Sequence, residues 1–333
     1  MRFCVRIMVC AVVVAVLAAM LMMVGCSSDD DAKLFLNASE KPSWGPAGKV
    51  ALTAWGGNEI RYIYSVQQGG GGLNLLTGSD KSDDFGHEGG WHPAYRPDDG
   101  SIIAFAGRRS QSPREGIYRM DGTAGDRNAA AALITAPQLS GADGQPSWKP
   151  DSSGLVFSTT EFTGTMDLAT VAADGSGRER VPLDPAAFDW DNADEMWPTY
   201  TPNGKQIVFE CRRRGDNQSD IWIHDVESGQ TTNLTASNFD DGAPAVQPAV
   251  AEGATAIILF HSNRNGAKYD LWAMDLDGSN ARPVTQTNRS DGFPVWSPDG
   301  TRVAFVRDRE VWTMKWTDVE ADRDYIRLTR RFR

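Results

Sequence analysis

Four carboxylates recur in step along this chain. Asp143, Glu195, Asp241 and Asp291 each stand three positions before a proline, at Pro146, Pro198, Pro244 and Pro294. Acids repeated at one place in a repeat converge if the repeats close on themselves. Converging carboxylates would suit a hard cation such as calcium, or a basic group of a ligand. Unless a cation is bound, their mutual repulsion raises some of their pKa values. Arginines recur at a second place, as Arg108 and Arg109, Arg212 to Arg214, Arg264, and Arg307 with Arg309. Asp143, Glu195, Asp241 and Asp291 together with Arg109, Arg213, Arg264 and Arg309 form the candidate ligand-binding set. The alternative is structural: three of the acids precede a glycine and can organise their own loops, while the arginines pair with acids of neighbouring repeats and stitch them together.

Other chemistry is weaker. His87-Glu88-Gly89-Gly90-Trp91-His92 has its histidines five apart across a Gly-Gly pair, not four apart on a helix as a zinc protease motif needs. A loop metal site from His87, His92 and Asp84 competes with a plain loop in which Trp91 packs on the body. Asp189 to Glu195 is acidic but lacks the glycine and glutamate spacing of an EF-hand. No Gly-x-Ser-x-Gly elbow and no phosphate loop occurs. Paired acids at a set separation can cleave glycosidic bonds, and a ring of acids offers such pairs. No catalytic residue and no cofactor is assigned; a divalent cation is the one cofactor left open.

The elements that must position these residues repeat six times. The phrase proline, any residue, large apolar residue, any residue, proline runs through Pro42–Pro46, Pro93–Pro97, Pro146–Pro150, Pro198–Pro202, Pro244–Pro248 and Pro294–Pro298, the leading prolines 51, 53, 52, 46 and 50 residues apart. A period near fifty suits one four-stranded sheet per repeat. Within each repeat follow an apolar triplet such as Ile103-Ala104-Phe105 or Val303-Ala304-Phe305, a third run through Trp222 or Trp272, and a fourth ending in Leu-Thr or Val-Thr. Asp-Gly pairs mark the turns. The chain therefore reads as all-β, a six-bladed β-propeller over residues 41–333 with four antiparallel strands per blade. The first strand lies nearest the axis, which puts the four acids at one mouth of the central channel and the Asp299-Gly300 type turns on the other face. Leu34 to Asn37 is a candidate outer strand for the last blade.

The ends and the composition set the setting. Arg2 and Arg6, an apolar run from Ile7 to Val24, then Gly25-Cys26 and an acidic stretch make a secretory signal over residues 1–25. Of four cysteines, Cys4 and Cys10 fall in that signal and only Cys211 lies in the body, so no disulfide is available there. Lys and Arg number 33 against 44 Asp and Glu, a net charge of −11, which argues against nucleic acid as a partner.

Leu21-Met22-Met23-Val24-Gly25-Cys26 resembles a bacterial lipoprotein lipobox, which implies lipidation at Cys26, a tether over 26–40, and anchoring in the cell envelope on its periplasmic or extracellular side. Pro294 to Gly300 and Asp270 to Asn280 resemble the TolB-type propeller repeat, and the likeness spans about residues 42–329. The two resemblances together imply a membrane-anchored, non-catalytic monomer binding a protein, peptide or glycan of the envelope. Similar blades in polysaccharide lyases imply the alternative, a polysaccharide-active enzyme at the channel mouth. Changing all four acids to asparagine should then abolish partner capture and leave the melting temperature little changed.

Overall fold

The computed structural model describes residues 40–55, 61–77, 89–108, 114–123, 131–138, 141–216, 218–248, 255–317 and 320–329. Within them the chain forms six four-stranded antiparallel sheets, each from strands consecutive in sequence. Blade 1 comprises β1 (Ser43–Trp44), β2 (Lys49–Trp55), β3 (Arg61–Gln67) and β4 (Asn74–Leu75). Blade 2 comprises β5 (Gly90–Tyr95), β6 (Ile102–Gly107), β7 (Gly116–Asp121) and β8 (Ala132–Thr135). Blade 3 is β9 (Asp143–Trp148), β10 (Gly154–Thr159), β11 (Asp167–Ala172) and β12 (Glu179–Arg180). Blade 4 is β13 (Ala193–Tyr200), β14 (Gln206–Arg213), β15 (Asp220–Asp225) and β16 (Thr231–Asn233). Blade 5 is β17 (Asp241–Val246), β18 (Ile257–Ser262), β19 (Asp270–Asp275) and β20 (Arg282–Pro283). Blade 6 is β21 (Asp291–Trp296), β22 (Arg302–Arg307), β23 (Glu310–Lys315) and β24 (Ile326–Arg327). The six-bladed propeller of the sequence reading is the fold of the molecule.

Side-chain chemistry explains both strands and turns. The second strands carry the most buried side chains of the protein, Leu52, Phe105, Phe157, Phe209, Phe260 and Phe305, all fully buried. Between strands, Asp299 accepts from the backbone N–H (3.1 Å) and hydroxyl (2.8 Å) of Thr301, and Gly300 takes a φ of 67°. Asp174 and Asp277 do the same for Ser176 and Ser279. An aspartate that satisfies the turn's own amide is why Asp-Gly marks these corners.

Each seam between blades is an apolar cluster. Ile63 and Leu76 of blade 1 meet Tyr95 and Phe105 of blade 2; Trp91 and Ile117 meet Trp148 and Phe157; Val156 and Leu168 meet Ile207 and Trp222. Val208 and Ile221 pack on Ile258 and Phe260, and Leu259 and Leu271 on Trp296 and Phe305. The ring closes in the same way: Trp44, Val50 and Leu52 of blade 1 pack against Ala304, Val306, Val311 and Leu328 of blade 6. Among the described residues no strand is exchanged between the ends of the ring; Leu34 to Asn37 lie outside them.

Candidate functional site: the central channel

The repeated proline breaks the inner strand at a fixed place. Pairing of β5, β9, β13, β17 and β21 with the second strand slips beside the leading proline in every case. Such a slip is a β-bulge, which re-aims one side chain. The residue before the proline turns left-handed: His92, Gln145, Trp197, Ala243 and Phe293 have φ between 49° and 54°. That conformation costs a non-glycine residue about 1–2 kcal/mol. The amide freed at the bulge donates to the preceding blade. His92 N–H donates to Thr53 Oγ1 (3.1 Å) and Gln145 N–H to His92 Nδ1 (3.2 Å). Trp197 N–H donates to Gln145 Oε1 (2.8 Å) and Ala243 N–H to Glu210 Oε2 (2.9 Å).

These side chains meet across the axis and plug it. The rings of His92 and Trp197 lie edge to face at 4.9 Å, and those of Trp197 and Phe293 at 5.3 Å; they come from blades 2, 4 and 6. Because His92 Nδ1 accepts from Gln145, the ring proton sits on Nε2, 3.7 Å from Glu40. His92 is thus a partly buried strand residue at the axis; His87 and Asp84, the other members of the loop metal site considered from the sequence, lie outside the described residues.

Beyond the plug, on the side of the paired prolines, the axis opens into a funnel of about 500 Å3 lined by all six blades. Its wall is built from the recurring phrase: small residues such as Ser43, Ser147, Thr199 and Ala245 alternate with prolines and with Trp44, Tyr95, Trp148, Tyr200 and Trp296. Trp148 Nε1–H donates to the carbonyl of Ala94 (3.0 Å) and Trp296 Nε1–H to that of Ala245 (3.1 Å), so the wall ties one blade to the next. Among the described residues no carboxylate lines it. Burial lowers His92 to about 4 and Lys41 to about 7, the latter opposed by Glu210, and raises Tyr200 to about 12. The funnel wall carries little charge at neutral pH.

The plug has a measurable consequence. Burial also lowers His261 to about 4, and its ring packs on Phe293 at 5.4 Å. An unfolded histidine takes its proton near pH 6.5 and these two refuse it until about pH 4, so stability is lost as pH falls between those values, by up to about 3 kcal/mol for each. Urea denaturation from pH 7 to pH 4 should show His261→Gln losing less stability than wild type over that window; equal losses would contradict the assignment.

The four acids lie away from the funnel, each buried to within 1 % of full burial. Three are gripped by arginine. Arg178 holds Asp143 at 2.8 and 2.9 Å, Arg264 holds Asp241 at 3.2 and 2.7 Å, and Arg307 holds Asp291 at 2.6 and 2.7 Å. Each arginine lies over the phenylalanine of its own second strand, Phe157, Phe260 or Phe305. Burial pushes the carboxyls of Asp143 and Asp291 up against the opposing pull of their arginines. Glu195 differs. Cys211 stands opposite it in the second strand, at the position Arg307 holds in blade 6. Neither Glu195 oxygen has a hydrogen-bond partner of good geometry. Burial first, then Asp167 nearby, raise its pKa to about 9, with Arg180 and the Leu168 N–H acting in the opposite direction. Asp167 itself pairs with Arg180 at 2.7 Å.

Of the arginines singled out from the sequence, Arg264 meets its acid, Arg213 lies over the Phe188 ring at 5.0 Å, and Arg309 is exposed. Arg109 lies outside the described residues, as does Cys26. The acids sit on separate blades with separate partners. Among the described residues no group of three or more His, Cys, Asp or Glu side chains is placed to hold a metal ion. Two partners were missed: Arg178, for which the sequence carries no periodic signal, and Arg307, set aside for its neighbour Arg309. The funnel was in view as the repeat itself, read as architecture only.

Residues 187–329 match PD40, the TolB beta propeller domain. A putative TolB from Agrobacterium tumefaciens superposes with a TM-score of 0.58 at 18% identity, over 84% of this chain and 90% of that one. This chain is a TolB-like six-bladed propeller. TolB from Acinetobacter baumannii gives 0.62 at 18% identity over 84% of this chain, which spans 64% of that protein. The TolB-like fold is equally that of an enzyme domain: the GH74 xyloglucanase from Xanthomonas campestris gives 0.52 at 15% identity over 87% of this chain and 47% of that one. No curated protein matches the sequence. At these identities the likeness speaks for the TolB-like fold, and function has to come from the channel.

Proposed function

We propose that this protein is a non-catalytic, envelope-tethered propeller whose funnel holds an extended segment of a partner protein. The observation that carries this reading is the funnel wall, six copies of one proline-flanked phrase enclosing about 500 Å3, a volume in the usual range of ligand pockets. Aromatic-lined grooves take proline-rich extended peptides, whose preformed helix leaves them little entropy to lose. Polysaccharide cleavage by paired carboxyls would need two such groups at the reacting bond, and none is among the described residues of the wall. The signal-like residues 1–25 and Cys26 support lipid anchoring through a short tether. Among the described residues no helix is long and apolar enough to cross a membrane.

Ser147 and Thr199 line the funnel on adjacent blades and are only partly buried. The double variant Ser147→Arg/Thr199→Arg should fill the funnel and reduce capture of the partner from native envelope at least tenfold, while its melting temperature stays within a few degrees of wild type. Phe239, 43% exposed in the loop leading into β17, supplies the control: Phe239→Arg should leave capture unchanged. Undiminished capture by the double variant would refute the proposal.

A further inference from the structure

We propose that the funnel also houses a reactive lysine: Lys41, at its base, takes small aldehydes covalently as an imine. Lys41 occupies in blade 1 the place held by His92, Gln145, Trp197, Ala243 and Phe293 in the others, directly before the leading proline. It lines the funnel and is partly exposed. Its amine reaches across the ring to blade 5, where it donates to the carbonyl of Pro244 at 2.5 Å. A single donated hydrogen bond leaves the nitrogen lone pair of the neutral amine free.

The surroundings favour that neutral form. Burial draws the amine down to about 7, against the opposing charge of Glu210. At pH 7 about half of Lys41 is then free amine, against about one part in 2,500 for a lysine of ordinary pKa. A lysine desolvated in an apolar pocket is a recognised way to make an amine nucleophilic. The titratable groups facing it are Glu210 of β14 and His261 of β18, with Asp240 behind His261 and Glu40 beside it in the chain. Glu210 is fixed by Ser219 Oγ (2.9 Å) and the Ala243 N–H (2.9 Å), and burial raises its pKa.

The step needs no oxidant or co-reactant. The amine lone pair forms a bond to the carbonyl carbon, and the carbonyl π pair moves to oxygen, which takes a proton from nitrogen. The resulting carbinolamine loses its hydroxyl and the second nitrogen proton as water, leaving the imine. Gln145, Ser147 and Thr199 on the wall can hydrogen-bond a hydroxylated aldehyde.

This inference rests on the funnel being open to ligands, as the proposed function does, but on no protein partner occupying it. The full chain is treated briefly with propionaldehyde and cyanoborohydride at pH 6 to 10, and each lysine is read by peptide mapping. Lys41 should be alkylated at pH 7 at least tenfold faster than the exposed Lys205, Lys268 and Lys315, with a rate midpoint near pH 7, and the Ser147→Arg/Thr199→Arg variant should slow Lys41 alone. Labelling of Lys41 no faster than the exposed lysines would overturn the inference while leaving partner capture to be judged separately. Fast labelling in a protein whose capture ignores the double variant would uphold it and sink the peptide reading.

Discussion

Arg307→Met is expected to cost about 3–5 kcal/mol of stability, since it strands a buried carboxylate. Asp291 is wholly buried, both of its oxygens are bound by Arg307, and the guanidinium is itself enclosed by Phe305, Trp312 and Tyr325 at 5.0, 5.5 and 4.9 Å. With Asp291 unable to find water or another cation, the melting temperature should fall by roughly 10 °C. Adding Asp291→Asn to Arg307→Met should recover much of the loss, because the pair's net worth is smaller than the penalty of breaking it. Arg302→Met supplies the contrast: its partner Asp324 is 55% exposed, and such surface pairs are worth about 1 kcal/mol at most. Equal losses for Arg302→Met and Arg307→Met would refute the distinction. The same reasoning revises the sequence-based expectation that substituting all four acids would leave stability little changed, since three of them are clasped.

Glu195→Gln should do the opposite and stabilise the protein near neutral pH. The folded Glu195 keeps its proton up to about pH 9, whereas the carboxyl of the unfolded chain gives it up near its ordinary value of 4.5. Between those values folding takes up a proton, so this residue's contribution falls steadily as pH rises through the window and is greatest below it. Gln carries no such proton and imitates the neutral acid in shape. At pH 7 the variant should be more stable than wild type by about 2–4 kcal/mol, and the two should converge toward pH 4.5. Urea denaturation at pH 5, 7 and 8.5 measures this. A constant difference across that series, or a destabilised variant, would show that Glu195 is ionised in the folded protein.

The architecture was legible in the sequence because one phrase marks one blade. Proline cannot donate to the ladder and fixes where the inner strand bulges, while Asp-Gly fixes the corners. Both act locally, so they survive as a readable pattern. What the four acids do depends on neighbours far away in the chain. Arg178 lies 35 residues from Asp143 and obeys no repeat. Cys211 facing Glu195 becomes meaningful only once the strands are paired. The plug was illegible for a related reason: the residues before the prolines, lysine, histidine, glutamine, tryptophan, alanine and phenylalanine, share no chemistry. All but the lysine share a left-handed backbone conformation, which sequence reading by residue type passes over. The acids were legible as a recurring position, but not as buried side chains, three of them clasped by arginine.

The central claim is a division of labour along the axis, with clasped carboxylates buried within their own blades at one end and the proline–aromatic funnel binding at the other. Photo-cross-linking side chains placed singly at Thr199 and Val295 in the funnel, and at the exposed Phe162 and Phe239, test it most directly in living cells. The account predicts adducts to one and the same partner from Thr199 and Val295 and none from Phe162 or Phe239. Adducts arising only from Phe162 and Phe239, with the folded protein intact, would contradict it.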